Sequence, residues 1–280
     1  MMYASCNSLQ GSSEVSLLLR FRWVTSADII FSNLPMIQTT RGIVFRTTRY
    51  GDSSLISSIY TKHFGIQNYL VKGVRKHTGK SEGKAACFQP GAILELVVYH
   101  QDAKNLQYIR EVNWGYLYTA IYGEVIKNTV ALFMVEILQH CIRQPEPNSV
   151  LFEFIEKSLQ QLDQTTPKVT ANYPLFFALR LSSMLGFQLQ GTYSEATSFL
   201  DLQEGQFVAN RPAHPYFLEG EGSAVTSQLQ AITSLDQLEK ITAPRILRKE
   251  LLTSYLQFYT WHVPDFGNLR SWQVIQEILH

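Results

Sequence analysis

Residues 42–71 read GIVFRTTRYGDSSLISSIYTKHFGIQNYLV, and this stretch decides the fold class. Gly42 to Thr48 is a short apolar and β-branched run, Leu55 to Tyr60 (LISSIY) a second, and Ile66 to Val71 (IQNYLV) a third. Tyr50-Gly51-Asp52-Ser53 and His63-Phe64-Gly65 lie between them. These are turn signals, because glycine reaches backbone conformations that other residues avoid and Asp and Ser bond their own backbone. Working outward, the strand pattern already begins behind Met36, in Ile37-Gln-Thr-Thr-Arg-Gly-Ile-Val-Phe45. Beyond a Gly/Lys/Ser-rich loop from Gly73 to Ala86, Ala92 to Tyr99 (AILELVVY) and Gln107 to Val112 complete five strands. Five short strands in about 80 residues suit a small closed barrel. With a long basic loop, that is the profile of an OB-fold, whose open face takes single-stranded nucleic acid.

The remainder reads as helical. Leu117 to Arg143 carries apolar residues at three- and four-residue spacing and stops before Pro145 and Pro147. Asn148 or Ser149 caps a helix running to about Gln164. Pro174 opens a third, which Gly186 ends, following the preference for proline early and glycine late. Thr226 to Ile241 and Pro244 to Trp261 give two more, and Ser271 to Leu279 a last short one. The expected fold class is α+β: an N-terminal five-stranded OB-fold barrel over 36–115, then an all-helical domain over 116–280 with an irregular insert at about 191–222.

Composition agrees with a folded chain. Of 280 residues, 45% are hydrophobic and 17% charged, too apolar for disorder. Cys6, Cys87 and Cys141 are scattered and no CxxC occurs, against both a disulfide framework and a zinc ribbon. No apolar run reaches the ~18 residues that span a bilayer. The net charge is only +1, but it is unevenly distributed. Residues 36–115 hold 11 basic and 5 acidic side chains, and residues 116–280 hold 11 and 16. The first part is therefore the candidate binding face for a polyanion. Residues 1–35 lack periodicity and a convincing signal peptide, and we expect them to be an upstream-start extension, disordered or artefactual, with Met36 the true start.

Three motifs invite an enzymatic reading and fail. Gly51-Asp52-Ser53-Ser54-Leu55 is similar to the nucleophile block of GDSL-type hydrolases, but no Asp-x-x-His supplies a general base; a polar turn is the better reading. Gly73-Val-Arg-Lys-His-Thr-Gly79-Lys80-Ser81 has five residues between its glycines where a P-loop has four, and the following sequence is a poor helix. His140 and Cys141 are adjacent, so on a helix they point about 100° apart and do not converge on one ion.

The strongest chemical signal is the basic loop. Lys72, Arg75, Lys76, Lys80 and Lys84 fall within 13 positions, interleaved with Gly73, Gly79 and Gly83. Flexible backbone with ammonium and guanidinium groups follows a phosphate chain. Tyr50, Tyr60, Tyr69 and Phe88 are candidate stacking partners for bases. Tyr60 and Tyr69 are expected to divide between core and face, alternation alone not deciding which, and for any single aromatic the core is favoured over stacking. On the helical half, Tyr255, Phe258, Tyr259 and Trp261 crowd one helix, and one or two left exposed would form an anchor for a protein partner.

The pattern resembles the RecO family of bacterial recombination mediators. The likeness runs through Thr40-Arg-Gly-Ile-Val44, Tyr50-Gly-Asp-Ser-Ser-Leu-Ile56, Tyr60-Thr-Lys-His-Phe-Gly65, Val71-Lys-Gly-Val-Arg-Lys76, Phe88-Gln-Pro-Gly91 and Leu94-Glu-Leu96. It continues in Leu151-Phe152, Leu159 and Arg180-Leu-Ser-Ser-Met-Leu-Gly-Phe187, with Phe199 to Phe207 and Ser271-Trp272 similar to the Bacteroidetes branch. It spans Met36 to His280. The resemblance implies a cytoplasmic, nucleoid-associated protein that binds single- and double-stranded DNA, anneals complementary strands and acts with RecR, and in many bacteria RecF. Together they load RecA onto DNA coated by the single-stranded DNA-binding protein SSB. It implies docking of the acidic, hydrophobic SSB tail on the helical domain, and no catalytic residue or cofactor. Carried over by position, the DNA-contact candidates are Arg41, Lys62, Lys72, Arg75, Lys76, Lys80 and Lys84. Many relatives hold zinc with four cysteines in the insert; Gly191 to Gly222 has none, so no metal is expected there and packing by Phe199, Phe207, Tyr216 and Phe217 must replace it. The alternative is a non-catalytic protein-interaction scaffold whose barrel binds no nucleic acid. An ester hydrolase using Ser53 is a distant third.

Overall fold

The structure, a computed structural model, describes residues 36–74 and 85–278. The expected start-site extension at 1–35, and Arg75, Lys76, Lys80 and Lys84 in the basic loop, lie outside the described residues.

Strand β1 (Met36–Tyr50) is longer than the Gly42 to Thr48 run, because it pairs on both sides. Its early residues pair antiparallel with β4 (Ile93–His100), and its later ones with β2 (Ser54–Thr61). The switch falls at Gly42, where a Cβ would sit 2.6 Å from the Ile59 side chain, and is followed by a bulge between Val44 and Arg46. A missing side chain and a bulge let a strand bend sharply enough to serve two neighbours. β2 pairs antiparallel with β3 (Gly65–Val71), β3 pairs parallel with β5 (Leu106–Trp114), and β5 returns antiparallel to β4. The ring closes in the order β1-β2-β3-β5-β4. Gly51-Asp52-Ser53 forms the β1–β2 turn, with Gly51 at φ +59°.

Alternation fills the barrel: Val44, Ile59, Tyr69, Leu94, Leu96 and Val98 are buried together. Ile43, Phe45, Tyr60 and Ile93 leave through the opposite side and join the helical core. Tyr60 stacks 5.6 Å from Phe45 and 6.0 Å from Phe152, so barrel and helices share apolar surface.

The helices are α1 (Val125–Cys141), α2 (Ser149–Asp163), α3 (Pro167–Met184), α4 (Gly220–Ala231), α5 (Leu235–Lys240), α6 (Arg245–His262) and α7 (Ser271–Ile278). Asn148 caps α2 by accepting the Leu151 N–H at 2.9 Å. The apolar pattern from Leu117 does not become helix until Val125. The N–H groups of Thr119, Ala120 and Ile121 instead donate to the Asp163 carboxylate at 2.8–2.9 Å, which holds that backbone out of a helix. Pro174 does not open α3: Pro167 occupies the first turn behind the Thr166 cap, and Pro174 lies buried inside the helix. Burial of Tyr173, Pro174, Leu175 and Phe177 outweighs the hydrogen bond a proline forgoes. Gly186, at φ +89°, ends the helix, with the Phe187 N–H donating to the Ser182 carbonyl. The span expected as one helix from Thr226 to Ile241 is two, because Ile232 turns extended and drives its side chain into the core.

The insert is a three-stranded sheet, β7 (Gln206–Val208), β6 (Phe199–Asp201) and β8 (Phe217–Leu218) in that order. Leu200, Leu202, Phe207 and Leu218 reach the core, while Phe199 and Phe217 meet edge to face. Asp201 accepts the backbone N–H groups of Gln203 and Glu204 and pairs with His214 at 3.2 Å. Tyr216 packs outside against Trp261, not within.

Candidate nucleic-acid interface

The β1-β2-β3-β5 face points its alternate residues outward. Register aligns Arg46 with Ser58, Ser58 with Asn68, and Asn68 with Leu106. The next outward row is Thr48, Ile56, Leu70 and Tyr108. This is the face, flanked by the β1–β2 and β4–β5 loops, on which OB-folds take oligonucleotides.

Two clefts open on it. One, of about 330 Å³, is lined by Leu70, Val71, Lys72 and residues Tyr108 to Asn113. Within it the Lys72 ammonium lies 5.1 Å from the centroid of the Tyr108 ring, and Tyr108 is 40% exposed. A cation over one aromatic face steadies the ring, and the exposed remainder of Tyr108 is the surface available to a base. Arg110 in the same cleft is paired with Glu111 at 3.3 Å. The second cleft, of about 770 Å³, runs along the seam between barrel and helices. Arg46 on β1, Lys104 in the β4–β5 loop and Arg143 after α1 line it. Arg46, Arg49, Lys72 and Lys104 are exposed, and among the described residues none has a carboxylate within ion-pair distance.

Two of the carried-over candidates are placed differently. Arg41 reaches the Glu156 carboxylate on α2 at 2.6 and 2.8 Å, and Lys62 reaches Glu153 on the same helix at 2.8 Å. Burial raises the Glu156 carboxyl, with Arg41 and then Lys62 pulling it back; the Lys62 hydrogen bond holds Glu153 below the usual range. Both cations are engaged in the seam and stand outside the open face. Lys72 is on it.

The candidate stacking residues divide unexpectedly. Tyr60, Tyr69 and Phe88 are all buried, so Tyr60 and Tyr69 do not split between core and face. The Tyr60 hydroxyl, pushed by burial to a pKa of about 12, donates to the Asn148 carbonyl at 3.3 Å. Only Tyr50 is exposed, at 55%. Tyr108, absent from that set, was legible: an inward Ile109 in a two-residue alternation turns Tyr108 and Arg110 outward.

Of the motifs set aside as non-catalytic, the Gly73 to Ser81 stretch lies mostly outside the described residues. Ser53 belongs to the turn, its carbonyl accepting the Val74 N–H. His140 bonds the Phe266 carbonyl, and burial drives the Cys141 thiol up to about 12, far from a reactive thiolate. Among the described residues, no cluster of His, Cys, Asp and Glu is arranged for a metal, and no helix is long and apolar enough to cross a membrane. On the helical half Tyr255, Phe258 and Tyr259 are buried, while Trp261 is 36% exposed beside Tyr216, their rings 5.0 Å apart.

A closed five-stranded barrel with OB connectivity, a cationic outer face and a helical C-terminal half defines a class: an OB-barrel protein with an appended helical part. Comparison with known families is specific. Residues 36–118 match the family model for the N-terminal part of recombination protein O, and residues 123–273 that for its C-terminal part. The DNA repair protein RecO of Phocaeicola vulgatus is 30% identical over 243 residues, covering 87% of this chain and 99% of that protein. That of Christiangramia forsetii is 31% identical over 243 residues with the same coverage, and that of Bacteroides fragilis 30% over 245. The chain belongs to the RecO family of DNA repair proteins.

Proposed function

We propose that this protein is a non-enzymatic recombination mediator. Its barrel, residues 36–115, binds single- and double-stranded DNA and anneals complementary strands. Its helical part, residues 116–280, meets protein partners: RecR, the acidic SSB tail and, where present, RecF. The outcome is RecA loaded onto SSB-coated single strands at the nucleoid. The observation that carries this reading is the exposed Lys72–Tyr108 pair on the open barrel face, where Lys72 has no carboxylate of the described residues within ion-pair distance. Phosphates are neutralised by Lys72 and by Arg75, Lys76, Lys80 and Lys84 in the adjoining loop. Tyr108 supports a base without reading it, which leaves the pairing edges available. Annealing then follows from raised local concentration and needs no ATP. Arg41 and Lys62 serve chiefly to join barrel to α2.

The exposed Tyr216–Trp261 pair supports partner docking on the helical part: paired aromatic anchors suit an apolar peptide segment. The test is fluorescence anisotropy of a labelled single strand across a salt series without nucleotide. Tight binding with a steep negative salt dependence supports the mediator; absent or salt-insensitive binding at low salt returns the protein to the scaffold reading.

A further inference from the structure

We infer that the seam cleft is a second DNA-binding site, taking the sugar–phosphate backbone of another single strand, so that one chain holds two strands at once. The inference rests on the mediator reading and goes beyond it, because neither family resemblance nor the basic loop assigns this cleft.

The cleft is built from both parts of the fold. Arg46, Ile56, Ser58, Ile66 and Asn68 form its barrel wall, Lys104 and Asn105 its loop rim, and Gln139, Ile142 and Arg143 its helical wall. The two walls are locked together. Gln139 donates to the Phe45 carbonyl at 2.7 Å, and Gly65 approaches residues 145 and 146 so closely that a Cβ would lie 2.5 Å from the Glu146 carbonyl oxygen. Three cations therefore converge from three elements. Arg143 is steadied by the Asp265 backbone carbonyl, and its ion pair with the Asp265 carboxylate is long, 3.8 Å, with that carboxylate 91% exposed. Asp102, the acid on the rim, bonds the His100 ring nitrogen at 3.0 Å and offsets one of the three cations. The charge left over is positive. Asn68 and Asn105 offer amides to base edges and Ile56, Ile66 and Leu106 an apolar floor for sugar, the mixture a nucleotide needs. At about 770 Å³ the cleft is in the range of sites for ligands of nucleotide size.

Its position gives the cleft a purpose. It meets the Lys72–Tyr108 cleft along the paired strands β3 and β5: Asn68 and Leu106 border one, and Leu70 and Tyr108, two residues on, border the other. That step is about 7 Å along a strand. Backbones held in the outer part of each cleft would present bases across the shared ridge, where complementary edges can pair.

The test uses the full chain and the dinucleotide of thymidylate, whose single phosphodiester step fits within one cleft. Sedimentation with the labelled dinucleotide reads the number bound per chain, and a stopped-flow assay reads annealing of complementary strands. The expected result is two dinucleotides per wild-type chain, and one for Arg46→Gln/Lys104→Gln, which leaves the Arg143–Asp265 contact in place. That variant should anneal at least about tenfold more slowly while its remaining affinity changes less than threefold. Lys72→Ala/Tyr108→Ala should lose the other dinucleotide and also slow annealing. One dinucleotide per wild-type chain, lost only in Lys72→Ala/Tyr108→Ala, would overturn the second site while the mediator reading stands. A wild-type chain that binds no dinucleotide and anneals no strands would overturn both. Thermal melting of each variant checks folding, and Lys104→Gln alone, on the exposed loop, gives the same reading if the double variant unfolds.

Discussion

The Lys72 ammonium rests over the Tyr108 ring on the open face of the barrel, joining the end of β3 to β5 across two strands that run parallel. This pair explains why a protein with a net charge of only +1 has a usable DNA face: charge and stacking surface are assembled where acid is scarce. Tyr108→Ala is expected to weaken single-strand binding by about 1–3 kcal/mol, the worth of one stacked base. Tyr108→Phe should retain nearly all of it. An anisotropy titration of both variants on an oligothymidylate checks this, and equal losses for Phe and Ala would mean that the hydroxyl, not the ring face, makes the contact.

Salt dependence separates phosphate contacts from the rest. With about four phosphates neutralised on a single strand, log K should fall against log salt with a slope near −3. Replacing Lys72, Arg75 and Lys76 with Ala should flatten that slope by about 2. Arg41→Ala should leave it almost unchanged, since Glu156 already holds Arg41. A slope that Arg41 moves and the loop does not would relocate the DNA site to the seam's far side.

Asp163 is expected to make the fold acid-sensitive. Burial pushes its carboxyl up, but hydrogen bonds from Thr119, Ala120 and Ile121 outweigh this and hold it below the usual aspartate range. A carboxylate with a depressed folded pKa stabilises above its unfolded value, near 3.9, and that stability is lost as pH falls through the folded value. Urea melts should therefore show wild type losing stability below about pH 4, more steeply than Asp163→Asn. At pH 7 Asp163→Ala, which strands three backbone donors, should cost about 3 kcal/mol or more.

Gly65 is fixed by both conformation and space. It sits at φ +61° with the Glu146 carbonyl where a Cβ would be. Gly65→Ala should destabilise the chain by about 1–3 kcal/mol through strain and a displaced α1–α2 link. Gly51→Ala, also at positive φ but in open space, should cost less. Thermal melts of the two variants make the comparison.

Trp261 should report on partners and not on DNA. Trp261→Ala is expected to lower affinity for a peptide of the SSB tail at least about tenfold and to leave single-strand binding within twofold, as titrations with labelled peptide and labelled strand would show. Loss of DNA binding with retained peptide affinity would reverse the roles proposed for the two halves.

Much of this was legible in the sequence, for local reasons. The five strands follow from two-residue alternation and from turns at Gly51 and Gly65. Asn148 and Gly186 mark helix ends because caps are satisfied within a few residues. The charge asymmetry and family motifs are likewise linear. Pro174 was misleading: a proline at the start and one inside a helix look alike until burial decides. The partners of Arg41 and Lys62 lie 115 and 91 positions away, so no local pattern could show that α2 claims them. Tyr60 and Tyr69 are chemically suited to either face, and only closure of the ring around Tyr69 and docking of Phe152 on Tyr60 committed them to the core. The sequence by itself determined the strands, the caps and most of the turns, because those choices depend on near neighbours, but not the stretches that distant groups claim, such as Thr119 to Ile121 on Asp163. Tertiary structure alone decided which charges are neutralised and which aromatics remain open, because pairing and burial depend on what the fold brings across from the rest of the chain.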